Sequence, residues 1–262
     1  MSRIYIDGGV GSYLINLDRA NERLTAVSPR ILTLGFPFER ISAIDGIELS
    51  REEIERVADT KTYREIFKMS PETGTIGCSL SHKKAWCKFL ESDNEFALVF
   101  EDDVLFDPSE LREIILALIE RKTLWDIVSF EVKHHGCPVS FATLNYGKAS
   151  GKRLVFYLTN VTHAGCYLVN RKAVCEMLRK FYPIKFPLDH YFSAAWEFGI
   201  RFVGIEPRVV SQMAVKSQIK VEPNEKNAKI SFANIVHNVQ RSIIHFTYNL
   251  LCWIRSQFDK WL

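Results

Sequence analysis

Three consecutive carboxylates, Glu101-Asp102-Asp103, follow directly on the apolar run Ala97-Leu98-Val99-Phe100. An uninterrupted apolar run of this length reads as a buried strand, so the acidic triplet sits at its carboxyl end. Carboxylates this close repel one another. A hard divalent cation such as Mn²⁺ or Mg²⁺, bound through oxygen, relieves the repulsion and can grip a diphosphate at the same time. Alternate residues of an extended segment face the same way, so Glu101 and Asp103 converge while Asp102 points elsewhere. A solvated acidic turn is the alternative reading of the same residues.

A site at one strand end needs a scaffold. Tyr13-Leu14-Ile15-Asn16-Leu17 reads as a short buried strand, after which Asp18 caps a polar helix carrying Arg19, Glu22 and Arg23. Phe38 to Ile44 reads as a second strand ending at the turn signal Asp45-Gly46, and Ser50-Arg51-Glu52-Glu53 is a capping box that opens a helix. His82, Ala85, Trp86, Phe89 and Leu90 form one helical stripe, Ser109 caps a helix from Leu111 to Glu120, and Ile127 to Phe130 is again a strand. Further strands are expected at Leu154 to Thr159, Ala164 to Val169 and Phe202 to Ile205, with helices from Arg171 to Phe181 and from His190 to Phe198. This alternation predicts an α/β fold with mostly parallel strands, whose ligand crevice opens beyond their carboxyl ends.

Composition narrows the function classes. A 47% hydrophobic content over 262 residues supports a sizeable core. The formal charge of +3, with Lys and Arg dispersed, points away from nucleic acid as the main partner. Met1 to Asp7 lack the apolar stretch of a secretory leader, and no run reaches about 18 apolar residues, which predicts a cytosolic chain without a membrane span. Cys78, Cys87, Cys137, Cys166, Cys175 and Cys252 show neither CxxC pairs nor companion histidine spacing. They read as buried free thiols.

Three blocks, in order, carry a resemblance: Leu14-Ile15-Asn16-Leu17-Asp18-Arg19 with Arg23, Gly74-Thr75-Ile76-Gly77-Cys78 with Ser81-His82, and Leu98-Val99-Phe100-Glu101-Asp102-Asp103-Val104. Phe38-Glu39-Arg40 and Ala43-Ile44-Asp45-Gly46 fall between the first two. In this combination, over roughly residues 12 to 215, the chain resembles glycosyltransferase family 25, the lipooligosaccharide biosynthesis galactosyltransferase and glucosyltransferase family with relatives among collagen galactosyltransferases. The resemblance implies a GT-A-like, Rossmann-type mixed sheet flanked by helices, a nucleotide-sugar donor and a DxD-like metal motif at Glu101 to Asp103. Glu in the first position leaves Glu101 to touch metal or ribose, and Asp103 is the firmer metal ligand.

With UDP-galactose or UDP-glucose as the implied donor, Asn16 would bond uracil or ribose and Arg19 would meet phosphate, against a solvated helix face as the alternative for Arg19. Asp45 contacts base or ribose or simply forms the Asp-Gly turn, and Asp102 is grouped with the donor ligands. Gly74 and Gly77 would permit close backbone approach of the diphosphate before a helix N-terminus, and His82, one turn further in, is either a ligand or a core hydrogen-bonding group. Inverting transfer needs a carboxylate, distinct from the metal ligands, to take the acceptor hydroxyl's proton. Asp189 in Pro187-Leu188-Asp189-His190 is the first choice, falling where the family has a recurrent acidic position, with a helix N-cap as its alternative. Glu131, directly after the strand ending at Phe130, is the competing base or an acceptor ligand. His163 and Gln212 are weaker candidates for the same crevice and read as structural.

Beyond the polar stretch Ser217 to Lys229, Ile235, Val239, Ile243, Phe246, Leu250, Ile254, Phe258 and Trp261 recur at steps of three and four. That is one face of an amphipathic helix, and Trp253, Trp261, Arg241, Arg255 and Lys260 suit an anionic headgroup region. Docking of that face on the protein's own core is the alternative. The expected division is a catalytic domain over 1–224 and a membrane-association segment over 225–262. Resemblance and tail together predict an inverting, metal-assisted hexosyltransferase, foremost a beta-galactosyltransferase. It would act on a lipid-linked oligosaccharide of the lipooligosaccharide or lipopolysaccharide outer core, peripheral on the inner face of the bacterial cytoplasmic membrane. A catalytically silent nucleotide-sugar-binding assembly protein at the membrane is the alternative from another class.

Overall fold

The apolar runs become sheet and the 3.6-period stripes become helices, in alternation. The structure is a computed structural model that describes residues 9–67, 69–134, 137–145, 147–213 and 232–258. Its strands are β1 (Val10–Asn16), β2 (Phe38–Ser42), β3 (Phe96–Glu101), β4 (Val104–Phe106), β5 (Ile127–Ser129), β6 (Lys133–His134), β7 (Pro138–Thr143), β8 (Arg153–Tyr157), β9 (Val161–Thr162), β10 (Cys166–Asn170), β11 (Phe202–Glu206) and β12 (Val210–Gln212). Its helices are α1 (Asn21–Thr33), α2 (Arg51–Val57), α3 (Thr60–Phe67), α4 (Thr73–Glu91), α5 (Pro108–Ile119), α6 (Arg171–Arg179), α7 (Leu188–Ser193), α8 (Ala195–Phe198) and α9 (Phe232–Phe258).

Eight strands form one mixed sheet in the order β2-β1-β3-β10-β5-β11-β8-β7, and all but β10 and β8 run in one direction. Side chains alternate across it. Tyr13, Ile15, Ala97, Val99, Tyr167 and Val169 pack on one face with α4, α6, α7 and α8, while Leu14, Leu98, Phe100 and Leu168 pack on the other with α1 and α5. Register then places the site. Asn16 pairs with Ser42 of β2 and Ile15 with Glu101 of β3, so the ends of the first three parallel strands lie side by side. The antiparallel pairing of β4 with β12 sets Gln212 opposite Val104, beside the acidic triplet.

Several element boundaries differ from those the sequence implies. Asp18 caps no helix: it accepts from Arg40 at 2.5 Å and Ser42 at 2.9 Å, tying the β1 end to β2, and α1 begins at Asn21. Asp107, not Ser109, caps α5 through the Glu110 N–H, with Pro108 in the first turn where its missing N–H costs nothing. The expected helix from His190 to Phe198 is two short ones that meet at Ala194, whose φ of −90° and ψ of 29° interrupt the helical path. Cys137 and Cys175 are exposed rather than buried.

The tail helix forms as the periodicity implies. α9 docks on the body through polar groups: His245 reaches the Ser193 and Tyr157 carbonyls at 2.6 and 3.0 Å, Tyr248 donates to the Ile200 carbonyl, Trp253 to that of Ser140, and Arg241 pairs with Glu197 at 2.6 Å. Its apolar stripe faces outward. Val239, Ile243, Phe246, Ile254 and Phe258 are 38–68% exposed, and Leu251 beside them 60%. No helix among the described residues is long and apolar enough to cross a membrane. The side chain of Ile235, the residues Lys260 and Trp261, the polar stretch and the expected boundary at 224/225 lie outside the described residues.

Candidate active site

Beyond the carboxyl ends of β1, β2 and β3 lies a crevice of about 290 Å³, lined by Arg19, Arg23, Asp45, Gly74, His82 and the triplet Glu101 to Asp103, with Gln212 at its edge. Glu101 ends β3, while Asp102 and Asp103 form the turn into β4, and the three carboxylates find different surroundings. Asp102 turns inward, 8% exposed, accepting from the Asn16 amide at 2.7 Å and from Arg23 at 3.0 Å. Asn16 is fully buried, its amide also donating to the Ala20 carbonyl and its Oδ1 accepting from Arg40 at 3.0 Å. With every polar atom occupied, Asn16 lies beneath the crevice rather than facing it, contrary to its expected contact with uracil or ribose. The Asp102–Asn16–Arg23 cluster holds the strand ends together.

Glu101 is held by a one-way chain of donors. Trp86 Nε1 can only donate, so it fills the Tyr167 oxygen at 2.8 Å; the Tyr167 proton then goes to His82 Nδ1 at 2.9 Å, which leaves His82 Nε2–H to meet Glu101 Oε1 at 3.2 Å. The Cys78 thiol, pushed well above its usual pKa by burial and by Glu101, donates to the same oxygen at 3.7 Å. Burial opposes ionisation of Glu101, but the His82 and Cys78 contacts outweigh it and hold the carboxyl below the usual range. His82, at the crevice wall with its side chain only 1% exposed, thus orients a carboxylate.

Asp103 is the opposite case. Burial, then Glu101 and Asp102, push its carboxyl up to about 6, and its Oδ1 is buried without a hydrogen-bond partner. A carboxylate left this way is an incomplete arrangement. Glu101 and Asp103, both oxygen donors on one crevice wall, fit a hard divalent cation. Cys78 Sγ and His82 Nε2 also come within 4.8 Å of a Glu101 oxygen, but both already direct protons at that oxygen.

The facing wall is the start of α4, whose first residues Thr73 and Gly74 line the crevice with no side-chain cap on the helix N-terminus. Its N–H groups there suit an anionic diphosphate. Gly77 serves a different purpose from the expected ligand approach: it lies a turn inside α4, and a Cβ on it would meet the Gly46 nitrogen at 2.7 Å and the Ile44 oxygen at 2.8 Å. Its bare backbone lets the Ile44–Gly46 turn seat on α4, where Ser81 accepts from the Ile44 N–H at 2.8 Å. That seating presents Asp45, which pairs with Arg19 and accepts from the Ile47 N–H.

A second group of side chains forms a rim next to the triplet. Glu131 is 2% exposed, with Oε1 at 2.6 Å from His163 Nδ1 and Oε2 accepting from the Gly165 N–H at 3.2 Å. Asp189 accepts from the His163 N–H at 3.1 Å and the His190 N–H at 2.9 Å. It is neither the N-cap, a position taken by Pro187, nor an uncommitted carboxylate, since each oxygen already holds a backbone N–H. Gly165 joins rim to motif, its carbonyl accepting from the Glu101 N–H at 2.8 Å. His163 has no diagnostic spacing along the chain; its one local signal is Thr162-His163-Ala164-Gly165, small residues around a histidine at the entry to β10. Tyr167 and Trp86, which fix the His82 tautomer, read only as core.

The sequence model of the family described as Glycosyltransferase family 25 (LPS biosynthesis protein) matches residues 10–192, which include the triplet, Glu131, His163 and Asp189. A Glycosyltransferase 25 family member of Anopheles gambiae is 32% identical over 123 residues, 45% of this chain and 21% of that protein. Procollagen galactosyltransferase 2 of Mus musculus is 27% identical over 122 residues, 44% of this chain and 20% of that protein. The chain thus spans about a fifth of the length of these curated relatives. Among solved structures, a glycosyltransferase involved in the glycosylation of the major capsid of PBCV-1 aligns at 13% identity and a TM-score of 0.43, covering 79% of this chain and 94% of that one.

Proposed function

This chain belongs to glycosyltransferase family 25, and from that premise we propose that it is an inverting hexosyltransferase that moves galactose or glucose from UDP to a glycan acceptor with the help of a divalent cation. The observation that carries the reading is Asp103, with a buried, unpartnered carboxylate oxygen beside Glu101 and across from the α4 N-terminus. Arg19, Asp45 and the first turn of α4 bind the nucleotide and diphosphate. Glu101 and Asp103 would hold Mn²⁺ or Mg²⁺, which offsets charge on the departing UDP when bound. Gln212, brought to the motif by β12, completes that wall. With Mn²⁺ and a panel of UDP-sugars and truncated lipooligosaccharide glycans, the expected result is UDP release matched by the mass gain of one hexose, greatest with UDP-galactose. Tight UDP-hexose binding without hydrolysis or transfer on any acceptor would instead establish the silent assembly protein.

We also propose that the outer face of α9 rests on an anionic membrane surface, at the inner face of the cytoplasmic membrane, and so brings the crevice to a lipid-linked acceptor. The support is the inverted docking of the helix, its exposed Ile243, Leu251 and Phe258, and a sequence from Phe232 to Phe258 that holds Arg241 and Arg255 but no acidic residue. Burying even about 200 Å² of that face contributes roughly 5 kcal/mol at 25 cal/mol per Å². Ile243→Glu with Leu251→Glu leaves the docking contacts of His245, Tyr248 and Trp253 in place. The pair is expected to lower partition onto phosphatidylserine-containing vesicles by at least about tenfold, roughly 1.4 kcal/mol, while transfer to a short soluble acceptor stays within about twofold. Unchanged vesicle binding would defeat this role for the helix.

A further inference from the structure

We propose that His163 is the catalytic base of the transfer, with the buried Glu131 positioning it and fixing its tautomer. The inference rests on the transferase reading above and adds the group that takes the acceptor's proton. Glu131 cannot do so directly, because it is buried and both of its oxygens are engaged, one by His163 Nδ1 at 2.6 Å and one by the Gly165 N–H at 3.2 Å. Asp189 is likewise committed, to the N–H groups of His163 and His190. Together these two carboxylates hold His163, Glu131 at the ring and Asp189 at the backbone N–H, while the side chain stays 31% exposed. With Nδ1–H given to Glu131, the lone pair lies on Nε2, which has no hydrogen-bond partner among the described residues.

The backbone marks the same residue. His163 has φ of 76°, in the left-handed region, and it is fixed there by the Asp189 carboxylate on its N–H. Histidine enters that region more readily than most residues, and a held, sparsely populated conformation accompanies functional positions. Two residues on, a Cβ at Gly165 would stand 2.9 Å from Glu131 Oε2 and so displace the carboxylate that holds the ring. The Gly165 carbonyl accepts from the N–H of Glu101, so the dyad and the carboxylate motif share one rim.

In the transfer, the acceptor hydroxyl gives its proton to His163 Nε2 as its oxygen forms a bond to the anomeric carbon. The bond from that carbon to the β-phosphate oxygen breaks, and its electron pair leaves on UDP. The imidazolium, paired with Glu131, then returns its proton to water. The charged groups facing the ring are Glu131, Asp189 and Lys133, and the hydrogen bond given to Glu131 raises the ring's pKa above the ordinary histidine value against the opposing effect of burial. The base works when neutral, so kcat should fall as pH drops through that raised value.

His163→Asn keeps a residue that tolerates the left-handed backbone. It is expected to lower kcat by about 10²-fold or more, with donor KM within about threefold, and to abolish the acid limb of the pH profile. Glu131→Gln, close in shape, should move that limb to lower pH, an effect that a merely structural carboxylate would not produce. A His163→Asn enzyme with kcat within threefold of wild type and the acid limb intact overturns the assignment. If that variant misfolds, an unmoved limb in Glu131→Gln overturns it equally. A wild-type protein idle with every donor would instead sink the transferase reading itself.

Discussion

Asp103→Asn should reduce turnover by at least about 10³-fold and yet leave the metal-free protein more resistant to heat. Both effects have one cause. The carboxylate is buried beside Glu101 and Asp102, its Oδ1 has no partner, and its pKa stands at about 6 instead of 3.8. A carboxyl whose folded pKa is raised binds its proton more tightly when folded, so the metal-free protein loses stability as pH rises from about 4 through 6. The shift corresponds to at most about 3 kcal/mol of lost hydration and repulsion, burial first, carried at neutral pH. Removing the charge relieves most of it, while burying an amide returns part of the cost, so a net gain of about 1 kcal/mol or a few degrees is expected at pH 7 in EDTA. Mn²⁺ should raise the melting temperature of wild type and not that of the variant. Full activity of wild type in excess EDTA, or a variant that melts well below wild type without metal, would contradict this account.

Asp102→Ala is expected to act in the opposite sense, on the fold more than on the cation. It removes the acceptor that Asn16 and Arg23 share at 2.7 and 3.0 Å, in a cluster that binds the ends of β1 and β3 to α1. Breaking a buried pair from one side costs about 3–5 kcal/mol, which in a chain of this size lowers the melting temperature by roughly 10 °C. Asp102→Asn, which keeps an acceptor and loses only the charge, should fall between. Activity measured well below the transition should recover more in Asp102→Ala than in Asp103→Asn, because Asp102 holds the wall and Asp103 faces the crevice. A melting temperature within about 2 °C of wild type for the alanine variant would show that the cluster is dispensable.

What the sequence made legible follows from range. The strands that carry the site are continuous apolar runs, and local periodicity is enough to find them. The acidic triplet could be placed at a strand end because the apolar run before it is local, but the expected alternation does not govern Asp102 and Asp103, which form the turn into β4. Register was not local. That Asn16 lies beneath Asp102, 86 residues away, and is fully used by it depends on how β1 pairs with β3. Gly77 suggested a ligand and instead meets the turn at Gly46, since a glycine signals close approach without saying to what. Trp86 and Tyr167 looked like core because they are core; their polar atoms gain meaning only from His82 between them and Glu101. At α9 the period marks the helix and its apolar face, whereas the carbonyls that its polar side reaches, on Tyr157, Ser193 and Ser140, are far along the chain.

That mode of docking separates two evolutionary pressures. A helix seated by apolar packing must keep its inner residues matched in volume to the core, and changes there are felt throughout the domain. α9 is instead keyed by a few side chains aimed at main-chain carbonyls of Ser193, Tyr157, Ile200 and Ser140, atoms that every sequence supplies at those positions. Its opposite surface carries little obligation to the catalytic body. Descendants of this chain can therefore exchange Val239, Ile243, Leu251 or Phe258 for whatever their surroundings favour, and lineages should diverge there faster than at His245 or Tyr248 while the crevice is inherited unchanged.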